Sequence, residues 1–381
     1  MTVENKKYFI GGFTEMKKGK FIGISLVALS SVLLLAACGG KKSTTSSTAS
    51  SSSSSNHSVA LVTDIGGVDD RSFNQSAWEG LQEWGKKHDI KRGTGGYDYI
   101  QSDDATQYTT NVSGAVQNGF KTIFGIGYLL QPAVQEAAKQ NPNVQFAIID
   151  STIDAKNVVS ATFKDNEAAY LAGIAAAETT KTNKVGFIGG EEGVVIDRFQ
   201  AGFEKGVADT AKKLGKTVTV DSQYAASFGD PAKGKALAAS MYQNGADIIF
   251  HASGGTGAGV FQEAKAVNSQ LNEADLDSKK VWVIGVDSDQ QDQGKYTTKD
   301  GKDDNFTLAS TLKGVGAAVE DISTRALNDK FPGGEHLVYG LKDGGVDITE
   351  GFLSDDAKTA IKDAKQQIID GKIEVPETPS K

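Results

Sequence analysis

The stretch VALVTDIGGVDDRSFNQSAWEG, residues 59–80, has the pattern of a buried strand, a glycine turn and a helix in immediate succession. The apolar strand pattern ends around Asp64, and the glycine pair at residues 66–67 supplies the turn. Ser72, with Gln75 three residues later, has the spacing of a capping box at the start of a helix. Four apolar residues then recur on one helical face: Phe73, Ala77, Leu81 and Trp84.

This succession directs Asp64, the turn and the first helical residues at one point, the carboxyl end of a strand. Open α/β sheets bind their ligands at that edge. We therefore expect a ligand site there, with Asp64 and the start of the helix among its residues.

Strand and helix patterns alternate along the rest of the chain, which predicts parallel sheets covered by helices on both faces. One series of strands is predicted at residues 59–65, 97–101, 122–126, 144–150 and 158–163. A second series is predicted at residues 184–189, 217–223, 247–252 and 281–287. Two series of four or five strands indicate an α/β protein with two lobes.

The last third of the chain contains too few elements for a third domain. It is predicted to form a strand at residues 307–313, a helix at 314–327, a strand near Val338 and a final helix at 355–369. We expect residues 59–163 and 288–327 to form lobe 1, and residues 164–287 and 328–381 to form lobe 2. The chain would then cross between the lobes near Phe163, Asp287 and Leu341.

The amino terminus has the pattern of a secretory signal. Three lysines at residues 17–20 precede an apolar run at residues 21–37, which ends in small residues before Cys38, the single cysteine of the chain. The segment resembles a bacterial lipoprotein signal with its LAAC lipobox. This resemblance implies a signal peptide at residues 1–37, with Met16 as an alternative start, and diacylglycerol on Cys38.

Residues 38–58 are almost all serine, threonine, glycine and lysine after the cysteine. Such a segment cannot bury enough apolar surface to offset the entropy of ordering it, so it is predicted to be a flexible tether. Together with the lipobox, it predicts a protein held at the extracellular face of the cell membrane by its lipid.

The charge balance argues against nucleic acid as a partner, because 48 acidic residues outnumber 40 lysines and arginines and the formal net charge is −8. Enzyme motifs are missing as well: the four histidines have no metal-ligand spacing, and no GxSxG elbow is present. The aspartates leave an exported nucleoside hydrolase open, with Asp69 and Asp70 as a candidate metal cluster. A sugar-binding receptor or adhesin is the other alternative. We expect no cofactor and no metal.

Several motifs resemble, in order, those of the bacterial basic membrane protein family of substrate-binding lipoproteins, and most closely its purine-nucleoside-binding members, which serve ABC transporters. They are DIGGVDDRSFNQSAWEG, FAIID, EAAYLAGIAA, GFIGG, RFQAGFEKG, DIIFHASGGTGAGVFQEA and VIGVDSDQ. The resemblance implies a type I periplasmic-binding-protein fold, with two Rossmann-like lobes and a hinged cleft. It also implies a nucleoside ligand such as guanosine, adenosine or inosine, and ABC permease subunits as partners.

Aromatic residues are expected to hold a base, because its flat face stacks on aromatic rings whatever the base is. We assign this role to Phe73, with Phe199 as the opposite face, since the sequence around both follows a strand and a Gly-Gly pair. Phe250 or His251 is the alternative for the second face. The other interpretation is that Phe73 and Phe199 are core residues at helix starts.

Polar residues at strand ends are the candidates for hydrogen bonds to the ligand. Asp64 and Asp150 follow apolar strands and can accept from a base or from ribose, and Asn74 can both donate and accept at a base edge. Asp287 resembles the ribose-binding aspartate of the family, and Lys313 resembles the lysine that supports it. An aspartate at a strand end can equally be a cap of the next turn.

The segment GGTGAG, residues 254–259, follows an apolar strand and opens a helix, where backbone N–H groups gather. A dinucleotide-binding turn would have the spacing GxGxxG, which this segment lacks. We therefore interpret it as a close approach of the backbone to the sugar, with Gly257 as the expected contact.

Overall fold

The computed structural model describes residues 57–380. The predicted signal peptide, nearly all of the tether and the lipidation at Cys38 lie outside these residues. Among the described helices, none is both long enough and apolar enough to span a lipid bilayer.

Strands and helices alternate through the described residues as the sequence predicts. The strands are β1 (Val59–Ile65), β2 (Tyr97–Ser102), β3 (Thr122–Ile126), β4 (Gln145–Ile149), β5 (Val158–Phe163), β6 (Lys184–Gly189), β7 (Thr219–Tyr224), β8 (Ile248–Ala252), β9 (Trp282–Gly285), β10 (Lys295–Thr297), β11 (Asp303–Asn305), β12 (Thr307–Lys313), β13 (His336–Tyr339) and β14 (Val346–Ile348). The helices are α1 (Phe73–Lys87), α2 (Tyr108–Gln117), α3 (Gln131–Gln140), α4 (Asp165–Thr179), α5 (Val194–Lys213), α6 (Pro231–Gln243), α7 (Gly257–Asn268), α8 (Leu276–Lys279), α9 (Val315–Leu327) and α10 (Asp355–Ile369).

Two six-stranded sheets have matching strand orders. The first sheet runs β13-β5-β4-β3-β1-β2 and the second runs β14-β12-β9-β8-β6-β7. All pairings are parallel except β12 with β14, and a separate antiparallel hairpin joins β10 to β11. The matching orders relate β1 to β6, β4 to β9 and β5 to β12, so each lobe repeats the same arrangement. The prediction of an α/β fold with two lobes is confirmed.

The lobe boundaries differ from the expected ones in two segments. Strand β12 was expected in lobe 1 but pairs with β9 and β14 in the second sheet, and β13 was expected in lobe 2 but pairs with β5 in the first sheet. The reason is that polar residues 288–305 form a turn and the β10–β11 hairpin, which return the chain to the same sheet. The second crossing therefore follows Lys313 and not Asp287.

The helices that follow the first two crossings pack on the lobe that the chain enters. Helix α4 packs against α5 of lobe 2, and α9 packs against α1 of lobe 1. A Cβ atom added at Gly80 of α1 would lie 2.2 Å from the carbonyl oxygen of Gly316 in α9, so the absence of a side chain allows these two helices to touch backbone to backbone. The chain thus crosses after β5, after β12 and after β13.

Candidate ligand-binding site

A cavity of about 500 Å³, including its opening to solvent, lies between the two lobes at the carboxyl ends of the strands. Seven of the eight predicted site residues line it: Asp64, Phe73, Asn74, Asp150, Phe199, Asp287 and Lys313. The edge of the sheet predicted from the sequence is therefore where the cavity lies.

The cleft is closed by direct contacts between the lobes. The Ser72 hydroxyl of lobe 1 donates a 2.6 Å hydrogen bond to Asp287 Oδ2 of lobe 2. Gln290 Nε2 donates to the Arg71 carbonyl oxygen at 3.0 Å, and the rings of Tyr128 and Phe228 meet edge to face at 6.3 Å. The ligand cavity is therefore bounded by residues of both lobes at once.

The predicted capping box at the start of α1 is wrong. Ser72 precedes the helix, but its hydroxyl makes no cap hydrogen bond because it is used for Asp287. The cap is Asp70, whose carboxylate accepts from the backbone N–H groups of Ser72, Asn74 and Gln75. Asp70 is thus engaged by the helix, and the described part of the chain contains no acidic, histidine or cysteine cluster suited to a metal ion.

Asp64 and Asn74 form one polar end of the cavity. Asn74 Nδ2 donates to Asp64 Oδ1 at 2.7 Å and to Asp70 Oδ2 at 3.0 Å. Burial raises the pKa of the Asp64 carboxyl well above its usual value, against the hydrogen bond from Asn74, which lowers it. Asn74 Oδ1 is buried and has no hydrogen-bond partner in residues 57–380. This end can therefore offer a carboxyl group and an amide oxygen to a ligand.

Aromatic rings from the two lobes form the walls. Phe73 is the first residue of α1, and Phe199 lies in the second turn of α5, so the sequence echo between them does not place them at equivalent helix positions. Lys313 Nζ lies 5.2 Å from the centroid of the Phe73 ring and 5.6 Å from that of Phe199. Both rings therefore border the same part of the cavity.

The alternatives for the second aromatic face do not line the cavity. Phe250 is fully buried among Phe187, Phe199 and Phe203. His251 is also fully buried, and its Nε2 pairs with Gln290 Oε1 at 3.0 Å. Burial lowers the pKa of its imidazole to about 4, so the ring is neutral at pH 7.

The other polar end of the cavity is a buried lysine among three carboxylates. Lys313 Nζ lies 2.6 Å from Asp150 Oδ2 and 3.0 Å from Asp165 Oδ1. Burial alone would lower the pKa of Lys313, but the negative charges of Asp150, Asp165 and Asp287 together raise it above its usual value. Burial also raises the pKa of Asp287 to about 6, although Lys313 and the Ser72 hydrogen bond act in the opposite direction.

Asp150 and Asp287 occupy equivalent places in the two lobes. Asp150 directly follows β4, and Asp287 comes two residues after β9, the matching strand of the second sheet. Both have φ of 64°, a left-handed conformation that is uncommon outside glycine and that aspartate tolerates better than most residues. The shared backbone conformation directs one carboxylate from each lobe to the cavity.

Gly257 does not line the cavity, contrary to the prediction. A Cβ atom added there would lie 2.2 Å from Cε1 of His251, so this glycine makes room for the buried imidazole. Ser253 and Gly254, at the end of β8, are the residues of this segment that border the cavity. The part of this segment that borders the cavity is therefore three residues earlier than the predicted contact.

Tyr128, Phe228 and Asp165 are among the residues of the site that were not predicted. Tyr128 and Phe228 line the cavity from the loops that follow β3 and β7, and Asp165 supports Lys313 from the first position of α4. Tyr128 comes two residues after β3, just as Asp287 comes two residues after β9, so the strand-end rule applied to β3 would have found it. Asp165 gives no such signal, because an acidic residue in the first turn of a helix is ordinary.

The comparison with protein families matches residues 57–379, nearly all of the described chain, to the model Bmp, described as ABC transporter substrate-binding protein PnrA-like. The chain belongs to this family. It is 57% identical over 318 residues to the ABC transporter nucleoside-binding protein BmpA of Lactococcus lactis subsp. cremoris (strain MG1363), covering 83% of this chain and 88% of that protein. The predicted family is confirmed.

Two further comparisons concern another relative and a solved structure. The CD4+ T-cell-stimulating antigen of Listeria monocytogenes serovar 1/2a is 53% identical over 325 residues, covering 84% of this chain and 88% of that protein. The crystal structure of an ABC transporter solute-binding protein from Aeropyrum pernix K1 superimposes with a TM-score of 0.72 at 24% identity, covering 85% of this chain and 94% of that one. At that identity the likeness concerns the fold.

Proposed function

We propose that this member of the PnrA-like family binds a purine nucleoside in the cleft between its lobes and delivers it to an ABC importer. The observation that carries the proposal is the lining of the cavity, which combines Phe73 and Phe199 from opposite lobes with two groups of polar residues. A nucleoside has the matching parts: a flat base, hydrogen-bonding groups at the base edge, and ribose hydroxyls. The name of the Lactococcus lactis relative, a nucleoside-binding protein, supports the same conclusion.

The base lies between Phe73 and Phe199 in this proposal, with its edge toward Asp64 and Asn74. Burial raises the pKa of Asp64, which favours the protonated carboxyl that could donate to a ring nitrogen or carbonyl oxygen of the base. Asn74 Oδ1, which lacks a partner among the described residues, accepts from an N–H of the base. A purine offers both kinds of group on one edge.

The ribose lies toward Asp150, Asp287 and Lys313. Asp287 Oδ2 already accepts from Ser72, which leaves Oδ1 for a sugar hydroxyl. Asp150 Oδ1 is buried and has no hydrogen-bond partner within residues 57–380, so it is a second acceptor. Lys313 can donate to the same hydroxyl oxygens. These groups become unpaired if the hydroxyls are missing, which is costly in a buried site.

The ligand is uncharged in this proposal. One ammonium faces three carboxylates at the ribose end, so a phosphate placed there would meet an excess of negative charge. This excess of negative charge selects a nucleoside over a nucleotide.

Anchoring by a lipid on Cys38 is the remaining part of the proposal. It is supported by the basic, apolar and small residues before that cysteine and by the serine-rich segment after it. An anchored protein would keep its ligand site close to the permease. Substitution of Cys38 by alanine should release the protein from the membrane fraction, and unchanged partitioning would contradict the anchor.

The test of the ligand is a calorimetric titration with guanosine, adenosine and inosine, each compared with its 2′-deoxynucleoside, free base and 5′-monophosphate. At least one nucleoside should bind more tightly than its deoxy form and much more tightly than the base or the monophosphate. The assignment of the ribose end is wrong if a base or a monophosphate binds best. The ligand released on denaturing the purified protein provides an independent answer.

A further inference from the structure

The first turn of α4 contacts the chain near all three crossings between the lobes. Asp165, its first residue, comes directly after the crossing that follows β5. Its Oδ1 lies 3.0 Å from Nζ of Lys313, the last residue of β12 before the second crossing. Glu167 Oε2 accepts a 2.8 Å hydrogen bond from the backbone N–H of Leu341, just past the third crossing. The Lys313 side chain is therefore tied to the hinge through Asp165.

Few groups other than carboxylates direct the Lys313 ammonium. Aromatic rings surround Nζ, with the centroids of Phe73 at 5.2 Å, Phe163 at 5.1 Å and Phe199 at 5.6 Å. Ring faces attract a cation without fixing where its N–H bonds point. Of the three N–H donors of the lysine, one is used for Asp150. Asp165 Oδ1 lies 3.0 Å from Nζ but forms no hydrogen bond within residues 57–380, so Asp165 holds the ammonium by its charge. The N–H donors that Asp150 does not use are available to the cavity.

Asp165 differs from the other two aspartates in its access to the ligand. Asp150 and Asp287 line the cavity, whereas Asp165 is 1% exposed and does not. Its position in the first turn of α4 favours the ionised form, because the helix dipole is positive there. Burial raises its pKa, and the charge of Lys313 opposes that shift. Asp165 can therefore act on a ligand only through Lys313.

We propose that Asp165 is a positioning residue, whose carboxylate holds the Lys313 ammonium so that its remaining N–H is directed at the ribose hydroxyls. The inference rests on the proposed nucleoside function and names the residue that sets its sugar preference. Without Asp165, the Lys313 ammonium would be free to turn toward either Asp150 or Asp287.

The experiment measures the ratio of the dissociation constants of 2′-deoxyguanosine and guanosine in the full-length protein. Asp165→Ser and Asp165→Ala are both compared with the parent, so that the result does not depend on one variant folding. Each should lower the ratio at least fivefold, because guanosine loses the directed N–H and the deoxynucleoside loses less.

The matched control is Asp304→Ser, which removes the carboxylate of a different lysine ion pair that does not line the cavity. Asp304 Oδ2 lies 2.7 Å from Lys280 Nζ, and the two side chains are 18% and 8% exposed. This variant should lose thermal stability and keep the parental ratio.

The possible failures are distinguishable. A parent that shows no preference for guanosine over the deoxynucleoside contradicts the proposed function itself. The positioning role alone is overturned if the parent prefers guanosine and both Asp165→Ser and Asp165→Ala keep that preference. The same holds if the two variants bind both ligands more weakly by the same factor. An equal fall of the ratio in Asp304→Ser would also overturn it, since the effect would then follow from general loosening.

Discussion

Substitution of Ser72 by alanine tests whether contacts between the lobes set the affinity for the ligand. Ser72 is fully buried, and its hydroxyl donates to Asp287 Oδ2 at 2.6 Å from the opposite lobe. Because the hydroxyl does not cap α1, which Asp70 does instead, the helix should form normally in the variant. The perturbation is therefore confined to the closed form of the cleft.

The expected magnitude follows from the kind of hydrogen bond that is lost. A hydrogen bond to a charged group contributes about 1.5–3 kcal/mol. Lys313 still compensates the charge of Asp287 in the variant, which places the loss near the lower end of that range. About 1.5–2 kcal/mol corresponds to a dissociation constant roughly 10 to 30 times weaker. The loss appears in binding because a less populated closed form lowers the apparent affinity in proportion.

The assay is calorimetric titration with guanosine, beside the melting temperature of the ligand-free protein. Ser76→Ala is the matched control: Ser76 lies one turn further along α1, and its hydroxyl accepts only a long 3.4 Å hydrogen bond from Gly316 N–H. The control should bind like the parent. The reasoning is refuted if Ser72→Ala binds within twofold of the parent, or if Ser76→Ala weakens binding as much.

Three further predictions concern the aromatic wall, the titration of the ribose end and the misassigned glycine. Phe73→Ala should weaken guanosine binding by about 1–3 kcal/mol, the usual contribution of one stacked base, with little change in melting temperature; a large fall in melting temperature with unchanged affinity would make Phe73 a core residue. The stability that Asp287 contributes to the ligand-free protein should fall as the pH rises, because burial raises the pKa of its carboxyl to about 6 in the folded state. This contribution is complete below about pH 4, the pKa in the unfolded chain, and it is lost as the pH rises through 6. Asp287→Asn does not titrate at this position, so the melting temperature of the parent minus that of the variant should fall as the pH rises across that window. A difference that stays constant would contradict the assignment. Gly257→Ala should destabilise lobe 2 by forcing the added Cβ against His251, so a reduced melting temperature with normal affinity per folded molecule is expected; selective loss of guanosine affinity at an unchanged melting temperature would return Gly257 to the site.

Local sequence patterns were sufficient for the order of elements and for most of the cavity lining. The strands from β1 to β9 lie where apolar runs predict them, within two residues at nearly every end. Asp64, Asp150 and Asp287 were found because parallel strands bring their carboxyl ends to one edge of a sheet. That rule depends only on the strand pattern and so works without knowledge of the tertiary contacts.

The errors have a common physical origin in contacts between segments distant in sequence. Ser72 has the local spacing of a cap, but Asp287, 215 residues away, takes its hydroxyl. Gly257 has the surroundings of a ligand-binding turn, but the buried ring of His251 requires the space beside it. The lobe of β12 was misjudged because a polar segment resembles a linker whether or not it returns to the same sheet. In each case a tertiary contact overrides a valid local pattern.

The two lobes repeat one architecture, and the difference between their equivalent positions gives the cleft its polarity. Strands β5 and β12 match in the sheet order, and so do the helices α4 and α9 that follow them. Where β12 ends in Lys313, β5 ends in Phe163, and where α4 begins with Asp165, α9 begins with Val315. The crossing after β12 therefore has a cation at Lys313, and the crossing after β5 has an anion at Asp165. The equivalent positions, Phe163 and Val315, are apolar. A second lysine in place of Phe163 would put a like charge close to Lys313, whose Nζ lies 5.1 Å from the centroid of that ring. A symmetric fold thus yields one ammonium between two matching aspartates, and the side of the cleft that holds it is the side to which the ribose is assigned.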